Sequence, residues 1–359
     1  MKLADLDIIV TAPPAPGWGG RYWILVKVTS DTGVMGWGEC YASSVGPDAM
    51  GHVIRDVFGR HMEGENPENI ELMFRRVYSS GFTQRPDLTV MGAWSGLEMA
   101  CWDMVGKDRN RPVHAMIGGR INDRIRAYTY LYPQANHTLP AFWADADMAA
   151  KSAVAMVEKG YTAVKFDPAG PYTMRGGHMP SMHDIDTSVS FCKTIRDAVG
   201  NRADLLFGTH GQFSTAGAIR MGQALEPFSP LWYEEPTPPD ADMTAVTQTV
   251  RIPVSTGERL TTKSEFAAAL RQGVQILQPA LGRAGGIWEC KKIAAIAETY
   301  NAQMAPHLYA GPIEWAANIQ LAASIPNILM AETIETPFHA ALVKNTLTVE
   351  GGYIPVPTA

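Results

Sequence analysis

The segment RYWILVKVTSDTGVMGWGEC (21–40) alternates apolar and polar residues on either side of SDTG, which predicts a β-hairpin turning at its glycine. Apolar residues then recur with helical spacing over 48–62, 66–80 and 88–108. Strands followed by helices predict an α+β unit. The stretch TAPPAPGWGGR ahead of the hairpin is rich in Pro and Gly and reads as a loop of the kind that covers sites. From about residue 125 the rhythm changes. Short apolar segments fall at 126–131, 162–167, 204–208, 230–235, 253–258, 276–280, 303–307 and 328–332. Amphipathic helical stretches, such as 262–274 and 285–301, lie between them. Eight strands in strict alternation with helices predict a closed parallel barrel rather than an open sheet.

Composition narrows the setting. The chain has 359 residues, 46% of them hydrophobic, enough for a large core. A net charge of −6 without long runs of one sign argues against a nucleic-acid partner. No apolar run approaches the ~20 residues that span a bilayer, and MKLADLDIIV lacks a signal-peptide h-region followed by small residues. The expectation is a cytoplasmic protein with no membrane partner. Cys40, Cys101, Cys192 and Cys290 show no CxxC spacing and read as buried free thiols in a reducing compartment.

A parallel barrel places its chemistry at the C-terminal ends of its strands. Those ends read Lys165-Phe166-Asp167, Gly208-Thr209-His210, Glu234-Glu235-Pro236, Gly257-Glu258-Arg259, Pro279-Ala280, Pro306-His307 and Ala331-Glu332. Carboxylates converging from neighbouring strands repel unless a cation lies between them. An oxygen-rich site of that kind suits Mg²⁺ with an anionic substrate as a further ligand. Lys and His at adjacent tips supply proton transfer.

KFD, WYEEP, STGERL, ILQPALGRAGGIWECKKIAAIAE and APHLYAGP, with GWGEC and ACWDMVGK earlier, resemble the enolase superfamily in its mandelate racemase-like branch. The similarity is greatest to sugar-acid dehydratases of the galactonate dehydratase type. It implies an α/β fold: a modified TIM barrel, (β/α)7β, with an N-terminal α+β capping domain. The divisions expected are 1–124 for the cap, 125–335 for the barrel, and 336–359 for a segment returning toward the cap. It also implies Mg²⁺, or Mn²⁺, a small acid-sugar carboxylate as substrate, and a homo-oligomer.

Site roles follow from the same resemblance. Glu234 and Glu258 match the second and third metal ligands. The first ligand, an aspartate in the family, is Gly208 here. Asp167 on the adjacent strand is the favoured replacement; His210 as ligand, Asp167 merely pairing with Lys165 or capping a turn before Pro168, and outright loss of the metal are the alternatives. His210 matches the general acid for the leaving hydroxyl. His307 matches the base, but the aspartate that orients it in relatives is Ala280 here. Lys165 matches the first lysine of a Lys-x-Lys pattern and is a catalytic candidate that offsets the substrate's carboxylate charge or, with a depressed pKa, serves as a base. The second lysine is Asp167, which favours dehydration over two-base racemisation. Glu332 matches an acid that hydrogen-bonds the substrate carboxylate. Trp18, Arg21, Tyr41 and Arg85 are candidates for contacting the polyhydroxy chain.

The leading functional reading is a metal-dependent dehydratase of aldonates or aldarates that forms a 2-keto-3-deoxy acid. A sugar-acid or lactone cycloisomerase or epimerase is the second. Gly208 and Ala280 keep a third open, a relative that binds acid sugars without turnover.

Overall fold

Alternation near the start of the chain becomes a three-stranded antiparallel sheet. The computed structural model describes residues 1–41, 44–79, 85, 87–133, 138–168 and 178–358. In it, β1 (Leu3–Thr11), β2 (Trp23–Ser30) and β3 (Met35–Cys40) lie side by side in that order. The hairpin predicted over 21–40 is β2 and β3, with Gly33 at φ 82° in the turn. The hydrophobic pattern under-reports β1, an edge strand with few buried residues, which pairs with β2 from Asp5↔Thr29 to Thr11↔Trp23.

The three helical stretches are α1 (Pro47–His61), α2 (Ile70–Tyr78) and α3 (Leu88–Arg109). Residue 80, the predicted end of the second, lies outside the described residues. That helix starts later than position 66 because the Asn66 side chain accepts a hydrogen bond from the Glu68 N–H and forms a turn. Asp87 caps α3 by accepting from the Thr89 and Val90 N–H groups. Helix α3 presses directly on β3. A Cβ at Gly38 would lie 1.8 Å from the Gly96 carbonyl oxygen, and one at Gly36 would lie 1.9 Å from that of Ala100. The glycines of GWGEC are therefore a packing surface.

After α4 (Val113–Met116) the barrel begins. Its strands are β4 (Arg124–Tyr130), β5 (Ala163–Phe166), β6 (Asp204–Gly208), β7 (Trp232–Glu234), β8 (Val254–Thr256), β9 (Ile276–Leu277), β10 (Gln303–Met304) and β11 (Ala331–Thr333). The helices among them are α5 (Leu139–Ala144), α6 (Ala146–Glu158), α7 (Met182–Val199), α8 (Thr215–Leu225), α9 (Thr244–Thr249), α10 (Lys263–Arg271), α11 (Gly286–Thr299) and α12 (Pro312–Ser324). Parallel pairing runs β10-β9-β8-β7-β6-β5-β4-β11, and a parallel bridge from Met304 to Ile328 closes the ring. The fold is thus the α/β modified barrel with a small N-terminal unit. The C-terminal segment touches both parts. Within α13 (Pro337–Leu342), Phe338 and His339 pack on Trp23 of β2, and β12 (Tyr353–Pro355) pairs antiparallel with β4.

Apolar side chains plug the interior. Tyr128, Ala163, Leu206, Trp232, Ile276, Ala305 and Met330 form one buried cluster, with the Tyr128 ring edge-on to Trp232 at 5.2 Å. Side chains alternate along a strand, so the next inward positions are Lys165, Gly208, Glu234, Gln278, His307 and Glu332. They form the polar floor above the plug. All four cysteines are buried and free. No described helix is long and apolar enough to cross a membrane.

Candidate active site

Lys165 occupies the centre of the floor. Its Nζ donates to Glu234 Oε1 at 2.5 Å and lies 3.6 Å from Glu332 Oε1, with all three side chains buried. Burial works against the lysine's charge, but Glu234, Glu332 and Glu258 together hold its pKa above the ordinary value. The other oxygen of Glu234 accepts from Trp232 Nε1 at 3.0 Å and Gln278 Nε2 at 2.6 Å. Glu332 Oε2 accepts from the Leu308 N–H at 2.8 Å. Burial pushes the Glu332 carboxyl up to about 7 despite Lys165.

Glu258 enters the site against the alternation. Val254 packs outward among the helices, and strict period 2 would send Glu258 the same way. Gly257 breaks the phase with φ 144°, a conformation open to glycine, and Glu258 Oε2 then sits 3.3 Å from His307 Nε2. Burial would raise the Glu258 pKa, but His307, His210, Arg259 and Lys165 outweigh it and hold it well below the usual carboxylate range. Burial, with Lys165, Arg283 and His210 nearby, brings His307 down to about 3 despite Glu258. Its imidazole is therefore neutral at neutral pH. Its other nitrogen, Nδ1, has no hydrogen-bond partner among the described residues. Strand-end Ala280, bridged to His307, offers none.

His210 lies just past the end of β6. Its backbone holds φ 53°, and Gly211 follows at 71°, so the chain turns sharply off the end of β6. Nδ1 lies 3.5 Å from Asp167 Oδ2 and 3.3 Å from the Gly208 carbonyl oxygen, and the side chain is 23% exposed. Burial lowers its pKa, but the bond to Asp167 and the charges of Glu258 and Asp167 leave it raised overall. The two imidazoles are therefore shifted in opposite directions, His210 up and His307 down.

The donor set does not match the divalent cation that the resemblance implies. Glu234 has both oxygens engaged by nitrogen donors. Asp167 turns to His210 rather than to Glu234 and Glu258. Among the described residues, no three His, Cys, Asp or Glu side chains converge to hold a metal ion. The expectation that Asp167 joins Glu234 and Glu258 as a third ligand is not what the geometry assembles. The reason is local: β5 ends at Phe166, and the next residue faces the β6 turn.

The capping residues divide. A cavity of about 250 Å³ lies between the first loop and the barrel, lined by Gly19, Arg21, Trp23, Glu39, Tyr41 and Tyr309. Trp18 stacks on Tyr132 with ring centroids 4.4 Å apart. Tyr41 lies under the Arg283 guanidinium at 4.0 Å, and Arg283 donates to the Glu258 carbonyl oxygen at 2.8 Å, linking cavity to floor. Arg85 lines a separate cleft with Arg60, His61 and Asp87. Gln278 and Trp232 were not anticipated as site residues, whereas Arg283, expected from its place in the sequence to lower the His307 pKa if close, does so. Gln278 carried a usable signal, two residues from Ile276 on the inward phase. Glu235, just past the end of β7 with φ 42°, is buried and holds an ion pair with Arg259.

Two family models match the chain: the mandelate racemase / muconate lactonizing enzyme N-terminal domain over residues 19–118, and the enolase C-terminal domain-like model over 147–359. A D-gluconate/D-galactonate dehydratase of Picrophilus torridus is 35% identical over 89% of this chain and 81% of its own length. A D-xylonate dehydratase of Haloferax volcanii is 32% identical over 94% of this chain and 82% of its own. The crystal structure of a mandelate racemase/muconate lactonizing enzyme-like protein from Roseovarius sp. TM1035 superposes with a TM-score of 0.98 at 74% identity, covering 100% of this chain and 91% of that one. The chain belongs to the mandelate racemase/muconate lactonizing enzyme family of the enolase superfamily.

Proposed function

We propose that the protein is a hydro-lyase that acts on a polyhydroxy carboxylic acid of the acid-sugar class. The observation that carries this reading is the pair of imidazoles at the mouth, His307 on Glu258 and His210 on Asp167. The dehydratase names of the curated relatives support the same class. Eliminating water needs one group to take a proton and another to give one. His307, neutral, accepts the proton α to the substrate carboxylate as that C–H bond breaks. The electron pair forms the C=C bond, and the β C–O bond breaks. His210 delivers a proton to the departing hydroxyl, which leaves as water. The enol product then becomes a 2-keto-3-deoxy acid. Arg21 and Tyr41 line the approach for the hydroxylated chain. The resemblance is also the ground for expecting a homo-oligomer, which size-exclusion with light scattering measures.

The test is a panel of aldonates and aldarates assayed for 2-keto acids, repeated in D₂O. The reading expects one acid to yield a keto acid. His210→Asn should lose that product yet still exchange the α-proton for deuterium, whereas His307→Asn should lose both. No keto acid from any member overturns the hydro-lyase. Deuterium incorporation without keto acid in the wild type would indicate an epimerase.

A further inference from the structure

Gly208 and the conformation of Lys165 depend on each other. A Cβ at position 208 would lie 2.8 Å from Lys165 Cε and 3.7 Å from its Cγ. Any side chain there would displace the lysine, so the missing aspartate and the lysine's path are one feature. That path brings Nζ to Glu234 at 2.5 Å and near Glu332 at 3.6 Å, over the Tyr130 ring at 5.7 Å. Trp232 and Gln278 saturate the rest of Glu234 from the far side. A carboxylate engaged on both oxygens by nitrogen donors offers a dication little, and an ammonium on that carboxylate repels one.

From this geometry we infer that the Lys165 ammonium takes the place of the divalent cation, as a built-in positive charge that Gly208 makes room for. The site then works without Mg²⁺ or Mn²⁺. Lys165 is a positioning residue here. It holds Glu234 and Glu332 in place and supplies the buried positive charge toward which negative charge on a substrate carboxylate develops. The inference rests on reading this cluster as the active site, but its test needs no substrate, so it can fail independently of the proposed reaction.

The test follows free Mn²⁺ by electron paramagnetic resonance as EDTA-treated, dialysed protein is titrated with manganese chloride. The wild type should bind with a Kd weaker than ~1 mM. A tighter site, at one Mn²⁺ per chain, overturns the inference. The double variant Gly208→Asp, Lys165→Ala restores an oxygen and removes the competing ammonium. It should bind one Mn²⁺ per chain at least ~100-fold more tightly than the wild type. A double variant that is folded by circular dichroism yet binds no better also overturns the inference. If that variant does not fold, the wild-type titration alone decides.

Discussion

The Glu39 carboxylate in the cap closes the N-terminus of α12 in the barrel, accepting from the Gly311 N–H at 2.6 Å and from the Glu314 N–H at 3.2 Å. Glu98 of α3 does the same for α11, accepting from the Ile287 and Trp288 N–H groups at 2.9 and 2.8 Å and from Trp102 Nε1 at 2.7 Å. Glu314 in turn accepts from the Gly282 N–H at 2.9 Å. Acidic groups at helix N-termini thus join cap to barrel, where unpaired N–H groups and the helix dipole favour them.

These carboxyls make the joint sensitive to pH. Burial pushes Glu39 up to about 7 and Glu98 and Glu314 up to about 8, from an ordinary value of 4.5. Facing them are Arg283, which lowers Glu314, and Glu289, which raises Glu98. Between pH 4.5 and about 8 the folded chain keeps protons that the unfolded chain has released. Their stabilisation is complete below the unfolded value and is lost as pH rises through the folded one. Urea denaturation should therefore show stability declining across this window. Glu314→Gln should make the decline shallower by up to about 1.4 kcal/mol per pH unit. An unchanged slope would refute this.

Gly38→Ala should be among the most damaging single changes in the cap. The added methyl meets the Gly96 carbonyl at 1.8 Å, and backbone rather than a flexible side chain must move. A loss of about 3 kcal/mol is expected by chemical denaturation. Gly33→Ala is a control of different kind: nothing lies within 4 Å of its Cβ, so its cost comes from φ alone and should be smaller.

Ala280→Asp should give His307 the partner its Nδ1 lacks. The strand-end bridge between 280 and 307 places the new carboxylate beside the ring. Histidine ¹⁵N spectra should then show a protonated Nδ1 with slowed hydrogen exchange. His307 nitrogen shifts identical to those of the wild type would mean that the carboxylate does not reach it.

The two candidate arginines should behave differently once a substrate is known. Arg21 lines the cavity that Tyr41 and Arg283 link to Glu258, and Arg21→Ala should raise KM about tenfold with kcat nearly kept, as loss of uniform binding does. Arg85 lines a separate cleft, so Arg85→Ala should leave both constants unchanged. Equal effects from the two would place the substrate elsewhere.

The eight barrel strands were legible because each is a short apolar run between amphipathic helices, a pattern that survives without neighbours. Most strand tips were legible for the same reason: period 2 carries Lys165, Glu234 and Glu332 inward from apolar positions two residues earlier, whereas Gln278 went unread. Edge strand β1 was less so, since an edge is buried on little of its length. The joint between cap and barrel was not legible, because Glu39 and Gly311 are 272 residues apart.

By itself, then, the sequence determined the barrel, the α+β unit ahead of it, and most of the polar residues at the strand ends. These follow from local periodicity and turn chemistry, whereas the capping role of the first unit came only from the family resemblance. Tertiary structure decided what those residues do to one another. Gly257's backbone swings Glu258 onto His307, Asp167 goes to His210, and the empty space at Gly208 lets Lys165 reach Glu234. Each outcome depends on a side chain meeting a partner from another strand at a few ångströms. Hydrogen bonds and charge pairs act at that range, and residue order along one strand does not encode it.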